Sequence, residues 1–120
     1  MMTRSFSAVA CVVAFIGAPA LLFHNELTKS VPAADAALPA SPKTIRLWFA
    51  EKVEPKFSSI TLQKPDSTKI EIGKPQATDD PKSIVSEVPT ALPAGAYVIR
   101  WRTAGTDGHA VRGSFKFSVK

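Results

Sequence analysis

Leu92-Pro-Ala-Gly-Ala-Tyr-Val-Ile-Arg-Trp-Arg-Thr103, followed after a polar break by Arg112-Gly-Ser-Phe-Lys-Phe-Ser-Val119, is the stretch from which the fold is read. In an extended chain alternate side chains share a face. That puts Tyr97, Ile99 and Trp101 together in the first run, and Phe115, Phe117 and Val119 together in the second. Both runs read as half-buried strands. Gly95, two residues before Tyr97 at a strand start, matches the tyrosine corner of Greek-key sandwiches, in which the phenol bonds back to nearby backbone.

Between the two runs lies Thr106-Asp-Gly-His109. Asp107 and His109 are two apart, so in an extended backbone both side chains leave the same face. Gly108 lets the chain bend between them, because it has no Cβ. A carboxylate and an imidazole converging on one point suit a divalent ion such as Cu(II), Zn(II) or Ni(II). Asp-Gly is also a common turn dipeptide, so the pair taken alone is equally at home in a solvated loop. Two ligands do not make a tight site, and the only other histidine is His24.

Working back along the chain, 43–50 alternates with Ile45, Leu47 and Phe49 on one face and Thr44, Arg46 and Trp48 on the other, another half-buried strand. Trp48 on the polar side is expected to pack under a loop. Residues 24–32 read as a first strand ended by Pro32, and 33–42, rich in Ala and Pro, as a connection. In 51–56 Pro55 discourages a helix. Residues 57–63 and 69–73 read as a hairpin around a 64–68 turn, 74–82 as a loop with Asp79-Asp80 in a solvated turn, and 83–88 as a strand. Seven strands without an amphipathic helix predict an all-β fold, a seven-stranded Greek-key barrel or sandwich. Its expected aromatic core is Phe49, Phe57, Trp101, Phe115 and Phe117.

At 120 residues the chain has room for one domain. Its 15 Lys+Arg against 10 Asp+Glu are dispersed, and no block of like charge points to nucleic acid. Arg4, the apolar run 8–16 and the small residues Ala18 and Ala20 have the layout of a secretory signal peptide, too short in its apolar part for a full membrane span. The expected organisation is a signal peptide over 1–23 and a domain over 24–120. The only cysteine is Cys11 and the only methionines are Met1 and Met2. The mature domain thus has no disulfide, no cysteine zinc site and no catalytic thiol. It also lacks the soft ligands that select Cu(I).

Several segments carry a family resemblance by their order and spacing. They are a histidine at the start of the mature chain followed by Leu27, Ser30 and Pro32; Ile45-Arg-Leu-Trp-Phe-Ala-Glu51 before Val53-Glu54; Leu92-Pro-Ala-Gly-Ala-Tyr97; Trp101-Arg102; and Thr106-Asp-Gly-His109 leading to Gly113-Ser-Phe115. In these the chain resembles the CopC family of periplasmic copper-binding proteins across essentially the whole mature region. The resemblance implies a cupredoxin-like or immunoglobulin-like Greek-key β-barrel that binds Cu(II) in copper resistance or homeostasis.

It further implies that His24 holds the ion through its imidazole and free α-amine, together with Asp107 and His109. Glu51 is expected beside the metal, orienting a ligand through a hydrogen bond. A monomer in the periplasm, with an inner-membrane copper transport protein as partner, completes the expectation.

Two features depart from the family pattern. Some relatives carry a methionine-rich loop for Cu(I); without one, this chain is expected to take Cu(II) alone. Leu21-Leu22-Phe23 is a poor cleavage site, whereas a cut after Ala18-Pro19-Ala20 would leave His24 fourth and without a free amine. Two other functions fit parts of the sequence. Copper monooxygenases also chelate metal through an N-terminal histidine, although a carboxylate from Asp107 favours Cu(II) over the reduced ion. A metal-free immunoglobulin-like interaction module would make the Asp-x-His pair accidental. No nucleophile sits beside an obvious base, so no enzyme is expected.

Overall fold

The computed structural model describes residues 25–105 and 108–120. The expected leader 1–23, His24, Thr106 and Asp107 lie outside the described residues. Among the described residues nine strands follow in order: β1 (Leu27–Val31), β2 (Ala37–Leu38), β3 (Thr44–Phe49), β4 (Ser59–Gln63), β5 (Lys69–Ile70), β6 (Gln76–Ala77), β7 (Ser83–Glu87), β8 (Gly95–Ala104) and β9 (Ala110–Val119). One sheet has the order β1-β3-β7-β6 and the other β2-β9-β8-β4-β5. The chain passes between sheets after β1, β2, β3, β5 and β7, which gives the Greek-key sandwich expected from the alternating runs.

The expected count of seven falls short by β2 and β6, two-residue strands in stretches read as connections. No side-chain period forms them. They exist because a neighbour's backbone needs partners: Ser118 N–H donates to Ala36 O at 2.9 Å and Lys120 N–H to Leu38 O at 2.8 Å, so β2 satisfies the edge of β9 in parallel register. β6 does the same for β7, antiparallel.

The core lies between the sheets, where the predicted alternation delivers Ile45, Leu47, Phe49, Ile60, Leu62, Tyr97, Ile99, Trp101, Phe117 and Val119, all buried. Phe115 is partly buried against it. Phe57 does not belong there and is 47 % exposed. A 3-10 turn over Pro55–Phe57 ends just before β4 begins, and Lys56 Nζ stands 5.4 Å from the Phe57 ring. Phe57 thus lies outside β4, whose inward positions are taken by Ile60 and Leu62. Trp48 is not under a loop either. It lies half-buried on the outer face of its sheet, with Lys29 Nζ 4.6 Å and the Arg46 guanidinium 4.5 Å from its ring. Arg46 also bonds Ser83 Oγ and pairs with exposed Asp79 at 3.2 Å, a contact worth little in water.

The tyrosine corner is present: Tyr97 Oη donates to Pro93 O at 2.5 Å, fixing the entry into β8 while the ring stacks on Phe117 with centroids 5.5 Å apart. Tyr97→Phe keeps the ring and loses the bond, so it is expected to cost about 1 kcal/mol. Urea denaturation at unchanged slope checks this; an unaltered midpoint would mean the bond contributes nothing.

Candidate metal centre

β3 and β8 belong to different sheets but run toward the same end of the sandwich. Where both are about to begin, Leu92 N–H donates to Ser41 Oγ at 2.7 Å. Where both approach their ends, Phe49 meets Trp101 edge-on, with centroids 5.1 Å apart and planes at 71°. Beyond Phe49 the chain continues as Ala50-Glu51-Lys52. Beyond Trp101, β8 runs on to Ala104, so the β8–β9 hairpin projects ~10 Å past the tryptophan.

His109 sits at the tip of that hairpin. Ala104 and Ala110 are the last paired residues, and Gly105 N–H donates to His109 O at 3.0 Å. Gly108 N–H returns to Gly105 O at 3.0 Å, and Gly108 has φ +86°, the left-handed conformation that glycine adopts without penalty. The bend expected at Gly108 is therefore real. It presents His109, an exposed residue, at the end of the molecule.

The start of the described chain reaches this same end. Glu51 N–H donates to Asn25 Oδ1 at 2.7 Å, Asn25 Nδ2 to Lys52 O at 3.4 Å, and Ala50 N–H to Glu26 O at 2.9 Å. These bonds fasten the residue that follows His24 to the loop after β3. Leu27 opposite Phe49 then starts the β1–β3 ladder. Glu51 is itself exposed here, and its backbone N–H is committed to Asn25.

Of the expected site residues, the structure brings Glu51 and His109 to one end of the sandwich. His24 and Asp107 lie outside the described residues. Among the described residues no three His, Cys, Asp or Glu side chains gather as a metal site. The residue that sequence reasoning passed over is Asn25. Its signal is an Asn side chain beside His24, a type that competes for nearby backbone groups.

Chemically, this end can offer an imidazole from the hairpin and a carboxylate from Glu51. Such N and O donors suit a borderline divalent ion.

The family model described as CopC domain matches residues 27–120. Copper resistance protein C of Escherichia coli is 36% identical over 104 residues, covering 81% of this chain and 82% of that one. The crystal structure of CopC from Methylosinus trichosporium OB3b superposes with a TM-score of 0.74 at 32% identity, over 81% of this chain and 94% of that chain. PcoC from Escherichia coli, described as a methionine-rich copper resistance protein, gives a TM-score of 0.72 at 37% identity over 82% and 100%. The likeness to PcoC stops at that adjective, since Met1 and Met2 are this chain's only methionines. Matched by the family model over its nine strands and by solved relatives in fold, the chain belongs to the CopC family.

Proposed function

We propose that this chain is an exported Cu(II)-binding protein of copper resistance or homeostasis, with His24, Asp107 and His109 as ligands and Glu51 orienting one of them. The observation that carries the reading is the fastening of Asn25 to the 50–52 loop. It ties the chain next to His24 to the end from which the His109 hairpin projects. Two imidazoles, an α-amine and a carboxylate form an N,O set suited to tetragonal Cu(II). The amine binds when neutral, which costs less than for a lysine because its ordinary pKa is about 8 rather than above 10. Support for copper as the cargo comes from the relatives, which are named as copper resistance proteins. The absence of methionine beyond Met2 favours Cu(II) over Cu(I).

In this reading 1–23 is the leader and 24–120 the copper domain, a periplasmic monomer that sequesters the ion or passes it to an inner-membrane copper transport protein. Intact mass of the exported protein, with and without Cu(II), tests the first residue and the stoichiometry together. A chain starting at His24 with one copper is expected. A chain starting at Leu21 would remove the amine from the ligand set.

Asn25 acts through His24 and so is a positioning residue. Asn25→Ala is expected to weaken Cu(II) binding by roughly tenfold, the scale for losing an outer partner of a metal ligand, with Asn25→Asp recovering part of it by keeping Oδ1 as acceptor. Electron paramagnetic resonance of the copper-loaded variant reads the change in nitrogen coupling. A spectrum and affinity identical to the parent's would remove Asn25 from the site.

A further inference from the structure

We propose that the outward face of β4, β8 and β9 is a docking surface for an extended acidic segment of a partner protein. The basic residues are dispersed in sequence, but the ladders gather them. Ser59 lies opposite Arg102 and Thr61 opposite Arg100 across β4–β8. Arg102 lies opposite Arg112, Arg100 opposite Ser114 and Val98 opposite Lys116 across β8–β9. Arg100, Arg102, Arg112 and Lys116 are all exposed. A groove of about 370 Å³ on this face is lined by Ser59, Thr61, Arg100, Arg102, Arg112 and Ser114.

No outward position of the three strands carries a carboxylate. Glu71, just past β5, pairs with none of these cations, and among the described residues the one ion pair is Arg46–Asp79 on the other sheet. Like charges directly opposite on a sheet are destabilising. Arg102 against Arg112 is therefore a cost that nothing in the described chain offsets.

The occupant follows from geometry. Arg100 and Arg102, two apart on one strand, are spaced ~7 Å, the spacing of carboxylates at every second residue of an extended peptide. Guanidinium forks bind carboxylates through paired N–H groups, and the hydroxyls of Ser59, Thr61 and Ser114 add further donors. A lipid surface fits less well. Surface-bound elements insert apolar side chains, and the exposed large hydrophobics among the described residues are Val31 and Phe57, neither on these strands. The face runs along β8 and β9 to the hairpin that bears His109, so a partner held here lies beside the metal end. That the partner is a copper donor or acceptor rests on the proposed function; the affinity of the face for carboxylates does not.

The probe is a short alternating Glu-Ser peptide titrated into the copper-free full mature chain at low salt and followed by amide shifts. Changes confined to β4, β8 and β9 are expected. Arg100→Gln with Arg112→Gln should weaken binding about tenfold, while Lys43→Gln with Lys82→Gln, an equal charge loss elsewhere, should change it less than twofold. Equal losses in the two pairs, or vesicles containing phosphatidylglycerol binding this face while the peptide does not, would overturn the proposal. Cu(II) affinity measured on the same arginine variants should match the parent's. Failure of the peptide with copper binding intact sinks only the docking face, and failure of copper binding in the parent sinks only the copper role.

Discussion

His109→Ala is expected to weaken Cu(II) binding by more than the roughly 10–100-fold that follows loss of an outer partner, because in the proposed site it removes a ligand itself. The turn itself should persist. His109 is an exposed residue at a hairpin tip, and the bond that closes the turn runs to its backbone carbonyl, which alanine retains. This separates loss of binding from loss of structure. A ligand bound only by the native state stabilises it by about 2.7 kcal/mol at a hundredfold excess over Kd, roughly 10–20 °C in Tm for a domain of this size. The parent should show that rise on adding Cu(II), and His109→Ala should show little of it relative to its own metal-free Tm. Equal rises in both proteins would exclude His109 from the site. No rise in either would favour a metal-free interaction module.

The sandwich was legible because its long strands obey a period of two, and Ile45, Leu47 and Phe49 fall on the buried face as the alternation demands. What alternation does not encode was missed. β2 and β6 are held by backbone bonds to β9 and β7, and no side-chain pattern announces them. Phe57 is apolar enough to suggest the core, but it sits in the 3-10 turn before β4, which no alternation announces. The tyrosine corner could be read from Gly95 and Tyr97 because that motif is local.

The proposed metal site is legible only in part for the opposite reason. Its expected ligands are some 85 residues apart in sequence, between His24 and His109, and only the resemblance joins them. The bond between Asn25 and Glu51 spans β1 and β3, a pairing that no spacing rule predicts.

Trp101→Ala is expected to cost about 3–5 kcal/mol, since it empties the site where the two sheets meet at the metal end. Trp101 is 7 % exposed, packs edge-on against Phe49 and lies over Gly113 across the β8–β9 ladder. Gly113 is required by that ring: a Cβ there would stand 2.6 Å from Trp101 Cζ2, closer than real side chains approach. Gly113→Ala should therefore cost about 1–3 kcal/mol through overpacking. The two positions are in contact, so their effects should not add. In a Trp101→Leu background the indole edge is gone, and Gly113→Ala should cost little or even stabilise by stiffening the unfolded chain. Urea denaturation of the four proteins measures the coupling. If Gly113→Ala costs the same with and without the indole, the close approach is not what demands glycine, and the packing account of this end of the sandwich is wrong.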